Sequence, residues 1–112
     1  MSWNSLESID RVAEIESLSF SRPQLIFKHS TRCGISSYAE AELNGGLSRL
    51  ADKIELHYLD LLQYRSVSNH IASEFGVPHQ SPQIIVLENG KAQFSLSHSA
   101  ISVKRILELF TK

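Results

Sequence analysis

Lys28-His29-Ser30-Thr31-Arg32-Cys33-Gly34-Ile35-Ser36 decides how the rest of the chain reads. It holds the only cysteine, follows the apolar run Leu25-Ile26-Phe27, and precedes a segment with helical spacing. A thiol at a strand-to-helix junction sits where unpaired backbone N–H groups and the helix dipole favour a thiolate. Arg32 adds a positive charge beside it, and the polar run Ser30-Thr31-Arg32 places the thiol near solvent. A buried, inert cysteine is the alternative, and the position argues against it.

Ser36 stands three residues after Cys33, where a two-cysteine redox motif has its second thiol. A hydroxyl there can hydrogen-bond a thiolate but cannot resolve a mixed disulfide. The chemistry open to this chain is therefore monothiol: attack on a mixed disulfide, transfer of its cap to Cys33, and release by an external thiol. A solvent-facing serine in the first helical turn is the plainer reading of Ser36.

Outward from this stretch, Ser5 to Leu18 has helical periodicity, with Asn4 or Ser5 as cap. Pro23 ends it, and Gln24–His29 follows as a central strand covered on both faces. Residues 34–44 form a helix with Ile35, Tyr38, Ala39 and Leu43 inward, and a last turn can follow Gly45-Gly46. Residues 53–60 form a second strand, with Ile54, Leu56 and Tyr58 on one face. Ser66 caps a helix that ends at Gly76. Residues 83–88 form a third strand, Asn89-Gly90 a tight hairpin, and 91–96 its return. Ser99 or Ser102 caps a final helix with Ile101, Ile106, Leu109 and Phe110 inward. The expected order is α-β-α-β-α-β-β-α, with parallel neighbours and an antiparallel edge.

Composition narrows the function classes. At 112 residues the chain makes one domain, 1–112, and 42% hydrophobic with 21% charged residues is a globular balance. A formal net charge of -1 gives no basic surplus for nucleic acid and no basic amphipathic stretch for a membrane surface. No apolar run spans a bilayer and no secretory leader is visible. A single cysteine forms no internal disulfide and fits a reducing cytoplasm. The five histidines lack metal-ligand spacing with Cys33, so no metal site is expected. His29, at the end of the first strand, and His98, between the last strand and helix, are the two nearest to a role.

A thiol at a strand-to-helix junction, a proline before the third strand, an Asn-Gly hairpin and a terminal helix together resemble the thioredoxin fold. The segments 28–36, Tyr64 to Ala72, Ser81-Pro82-Gln83, Glu88-Asn89-Gly90 and Ser97-His98 narrow this. They resemble the YtxJ-type bacillithiol-system proteins, small monothiol bacilliredoxins, nearly end to end. The resemblance implies an α/β thioredoxin-like fold with an extra N-terminal helix and a central four-stranded mixed sheet flanked by helices. It implies a cytoplasmic oxidoreductase that removes bacillithiol from S-thiolated proteins, with the low-molecular-weight thiol as co-substrate and no resident cofactor. Cys33 is then the nucleophile and Pro82 a cis-proline facing it. Thr31, Arg32, Gly34, Ser36, Ser81 and His98 line the thiol-ligand groove. The partners are thiolated proteins and the small thiol, with the chain a monomer or weak homodimer. The family commonly has proline after the cysteine, and Gly34 departs from that.

Cys33-Gly34-Ile35-Ser36 also resembles the Cys-Gly-Phe-Ser motif of monothiol glutaredoxins, which carry an iron–sulfur cluster. The segment after Gly90 lacks the paired glycines and acidic residue that those proteins use on glutathione. A third reading is a non-enzymatic thioredoxin-like adaptor whose thiol is incidental.

Overall fold

Gln24–His29 (β2) is buried at every position because it lies in the middle of a five-stranded sheet covered on both faces. A computed structural model describes residues 3–30 and 34–110, the side chain of residue 35 excepted. The strands are β1 (Asn4–Ser5), β2, β3 (Glu55–Asp60), β4 (Gln83–Glu88) and β5 (Lys91–Ser97), in spatial order β1-β3-β2-β4-β5. β3 runs parallel to β1 and β2, whereas β4 is antiparallel to β2 and β5. The helices are α1 (Ile9–Leu18), α2 (Gly34–Gly45), α3 (Leu47–Ala51), α4 (Arg65–Phe75) and α5 (Val103–Phe110). A single 3₁₀ turn, His98–Ala100, joins β5 to α5. This is the mixed-sheet thioredoxin-like architecture, with helices on both sides.

The two faces of the sheet follow the two-residue period of its strands. Leu25, Phe27, Ile54, Leu56, Ile84 and Val86 pack with Ala39, Leu43, Leu50, Ile101, Val103 and Ile106 under α2, α3 and α5. Ile26, Leu59, Ile85 and Leu87 pack with Leu6, Val12, Ile15, Val67 and Ile71 under α1 and α4. Each fully buried aliphatic side chain contributes about 1.5–3 kcal/mol relative to exposure. The hairpin turn has positive φ at both Asn89 (55°) and Gly90 (77°), as a right-twisted two-residue turn needs. It is docked onto the end of α1, because Asn89 N–H donates to the Ser19 carbonyl (2.9 Å) and Gly90 N–H to Ser19 Oγ (2.9 Å).

Several expectations are corrected. The sheet has a fifth strand beyond the four expected, because Asn4–Ser5 pairs with His57 and Tyr58 instead of starting a helix. Leu6 N–H then donates to the Tyr58 carbonyl at 2.9 Å, and Leu6 is wholly buried. Satisfying the open edge of β3 outweighs one more helical turn. The first helix starts at Ile9, and its cap is Ser8, whose Oγ accepts from Arg11 N–H at 3.1 Å. Tyr38 points outward, 82% exposed, although its spacing put it on the inner face of α2. Ser36 takes the inner position instead and is buried, so it does not face solvent. Leu109 is similarly part-exposed, and Val103 packs inward in its place. α4 starts at Arg65, one residue before the expected cap Ser66, with Tyr64 at the cap position. Ser102 is the cap of α5, its Oγ accepting from Arg105 N–H at 2.9 Å.

Candidate functional site

β2 ends at His29, and Ser30 follows. Ser30 N–H donates to Ser36 Oγ at 3.3 Å, which ties the end of the strand to the first turn of α2. That bond clasps the two ends of the connection carrying residues 31–33. Thr31, Arg32 and Cys33, three of the predicted site residues, lie outside the described residues. Gly34 opens α2 and is exposed. A Cβ there would meet no atom within 4 Å, so packing does not demand glycine at the position where the resembled family has proline.

Strand register brings the second group of residues to the same end of the sheet. β4 is antiparallel to β2, with Gln83 opposite Lys28, so the start of β4 lies beside the end of β2. The Ser81–Pro82 bond is cis, and Pro82 is buried. Ser81 Oγ is buried without a hydrogen-bond partner among the described residues. Gln83 is also opposite Ser97, which brings the end of β5 alongside. His98 follows in the left-handed region (φ 52°), and its N–H donates to the Pro82 carbonyl at 3.0 Å. Gly34, Ser36, Ser81, Pro82 and His98 are thus gathered at one end of the sheet.

Beside them, α2 and the 3₁₀ turn enclose a groove of about 460 Å³, lined by Tyr38, Ala39, Glu42, His98, Ser99 and Ile101. Glu42 is partly committed, since its Oε2 accepts from Val103 N–H at 3.0 Å and so caps α5.

Of two titratable groups at the end of β2, sequence reasoning singled out His29 but not its partner Glu40, and missed Lys28. His29 is buried, with Nε2 3.2 Å from Glu40 Oε1 and Nδ1 unpartnered among the described residues. Its ring lies 5.3 Å from that of Tyr58, whose phenol is pushed up by burial and by the carboxylates of Glu40 and Asp60. The sequence held one signal for this: position 40 repeats the helical stripe of positions 33 and 36. Lys28 is buried on the opposite face. Its Nζ donates to the Ser68 carbonyl (3.2 Å) and lies 3.5 Å from His79 Nδ1. Burial pushes the Lys28 ammonium down to about 8. It also lowers His79, helped by the Lys28 and Arg65 charges. Gln83 Nε2 donates to the Pro78 carbonyl at 3.1 Å, so this cluster anchors the loop leading into Ser81–Pro82.

Among the described residues no helix is long and apolar enough to cross a membrane. Residues 4–106 match the family model described as monothiol bacilliredoxin BrxC. A solved structure described as a candidate oxidoreductase with a thioredoxin fold superposes with a TM-score of 0.85 at 28% identity, covering 96% of this chain and 92% of the other. Thioredoxin from Fasciola hepatica gives a TM-score of 0.76 at 12% identity, with 96% of each chain covered. Thioredoxin from Malassezia sympodialis gives 0.75 at 17% identity, covering 98% of this chain and 90% of that one. The two thioredoxins speak to the fold alone.

Proposed function

The chain belongs to the monothiol bacilliredoxin family, and from that premise we propose that it removes bacillithiol, or a similar small thiol, from protein mixed disulfides through Cys33. One observation supports the reading above others. In a chain with a single cysteine, the helix that follows that cysteine, the Ser81–cis-Pro82 bond and His98 meet at one end of the sheet.

The chemistry follows from those parts. The Cys33 thiolate attacks the small-thiol sulfur of the mixed disulfide. A new S–S bond forms to Cys33, the old one breaks, and the protein leaves as a thiolate that takes up a proton. The start of α2 favours the thiolate through its unpaired N–H groups. Pro82 has no N–H, so the backbone of Ser81 is the group free to pair with an extended substrate segment. His98 stands at this end of the sheet, and the resemblance implies that Thr31 and Arg32 share in holding the thiol ligand. With Ser36 in place of a second cysteine, the cap stays on Cys33 until an external thiol removes it. The protein would work in the cytoplasm, as a monomer or weak homodimer, on S-thiolated proteins.

The test is mass spectrometry after incubation with a bacillithiolated protein. The reading requires a cap-sized mass increase on Cys33 with release of the protein thiol, and none in Cys33→Ser. An unmodified Cys33 after full incubation refutes it. Oxidised glutathione in a parallel reaction reports which small thiol is preferred.

A further inference from the structure

The cluster around Lys28 has no part in the scheme above, and its charges do not balance. Lys28 is wholly buried, and its ammonium is held by two neutral groups, the Ser68 carbonyl at 3.2 Å and His79 Nδ1 at 3.5 Å. Among the described residues no carboxylate pairs with it, and burial alone accounts for the lowering of its pKa. A buried charge is ordinarily matched by an opposite one, because desolvation is costly without it. The contacts also fix a tautomer. An ammonium only donates, so His79 Nδ1 is the acceptor and Nε2 carries the ring hydrogen. Ser68 Oγ, 3.4 Å from the same Nδ1, can donate there as well. That leaves the Nε2–H of His79, an exposed residue, as the donor it can offer to a ligand.

Arg65 is the third member. It opens α4 three residues before Ser68, on the same helical face, and its charge reaches His79. It is exposed and in no ion pair among the described residues. The surroundings supply no neutralising acid. The first turn of α4 holds none, and the charges that act on His79 are those of Lys28 and Arg65. Glu7 and Asp60 act on Tyr64 instead. Leu59 packs under α1 and α4, so Asp60, the next residue of β3, faces the other side of the sheet, and its Oδ1 accepts from Leu62 and Gln63 N–H. The loop that carries His79 is itself fixed. Gln83, opposite Lys28 in register, donates from Nε2 to the Pro78 carbonyl at 3.1 Å, so the imidazole is in place before any ligand arrives.

We propose that Arg65 and the Nε2–H of His79, set over the buried Lys28 ammonium, form a binding site for an oxyanion, the phosphate or carboxylate group of a ligand. The planar guanidinium offers two parallel donors and the imidazole a third. The ammonium beneath supplies charge without touching the ligand. The site lies on the α4 side of the sheet, on the opposite face from the groove between α2 and the 3₁₀ turn. It takes no part in thiol chemistry and goes beyond the function proposed above.

The test titrates inorganic phosphate into the full chain at pH 7, with ionic strength held constant by sodium chloride, and sodium acetate in a second series. The His79 imidazole resonances report binding. Saturable shifts in the millimolar range are expected. Arg65→Gln should weaken binding about tenfold, through loss of a charge-assisted contact. Arg65 is exposed, so the substitution leaves the core intact. Arg49→Gln, which removes the same charge from an exposed position on α3, should leave binding unchanged. Tighter binding of phosphate than of acetate assigns a phosphate-bearing ligand, and the reverse order a carboxylate. Shifts that grow linearly with added salt overturn the inference. So does a loss in Arg65→Gln no greater than in Arg49→Gln. The assay contains no disulfide, so it is decided independently of cap transfer.

Discussion

Replacing His57 with glutamine should remove much of the protein's acid sensitivity. His57 is 0% exposed in β3, on the α1 and α4 side of the sheet. Its Nε2 lies 2.7 Å from Gln24 Oε1, so the ring donates there, while Nδ1 is buried without a partner among the described residues. Burial, with a smaller contribution from the Arg11 charge, lowers its pKa from 6.5 to about 4. The sign follows from proton counting. Between these values the unfolded chain binds a proton that the folded state refuses, so stability rises with pH across that window. The stabilisation is complete above pH 6.5 and is lost as pH falls through about 4. At about 1.36 kcal/mol per pH unit the whole effect is ~3 kcal/mol, of which about 2.5 kcal/mol is lost between pH 7.5 and 4.5. In a domain of this size that corresponds to a fall in Tm of about 10 °C.

His57→Gln keeps a donor for Gln24 and does not titrate, so the difference between the two proteins isolates this group. Urea unfolding at half-unit steps from pH 7.5 to 4.5, with reductant to protect Cys33, measures it. The wild type should lose about 2.5 kcal/mol more than the variant across that range. Parallel profiles, differing by a constant, would refute the account of His57 as held neutral by burial. So would an imidazole resonance for His57 that titrates near the free value.

The other predictions concern single features of the same scaffold. Lys28 has its folded pKa lowered to about 8, so the wild type should gain about 2 kcal/mol in urea stability from pH 7.5 to 9.5 relative to Lys28→Met. Equal pH profiles would contradict the burial of that ammonium. Glu42→Ala removes the acceptor for Val103 N–H and should cost about 0.5–2 kcal/mol, measured by thermal or urea unfolding. Alanine at two glycines should act with opposite sign. Gly34→Ala enters open space at a helix start and should stabilise by about 0.4–1 kcal/mol. Gly90→Ala should destabilise by more than that, because φ is +77° and the new Cβ would come within 2.7 Å of the Phe20 ring.

Much of this was legible in the sequence because it depends on local physics. Continuous apolarity marked β2 as central, Asn89-Gly90 marked the hairpin, and Gly76 marked the end of α4 with its left-handed φ of 66°. Cys33 before Gly34 marked the strand-to-helix junction, and the motif set carried the family resemblance. Errors fell where a local preference met a distant partner. Asn4–Ser5 reads as the start of a helix until the open edge of β3 is present to bind it. Tyr38 reads as core by spacing, yet the space beneath α2 is filled by Ala39, Leu43 and the buried Ser36.

By itself, the sequence determined that the chain has one thiol, directly before Gly34, with a hydroxyl where a resolving thiol would stand. Those are facts of composition and short spacing. Only the tertiary structure decided what surrounds that junction. The register of β4 against β2 and β5 sets Ser81–Pro82 and His98 beside the end of β2. The packing of α2 on the sheet brings Glu40 to His29 across 11 residues, and α4 closes over Lys28 across 40. No local preference encodes such pairings. They exist because two faces of one sheet must each be covered, and covering them brings distant polar groups into the same dry space.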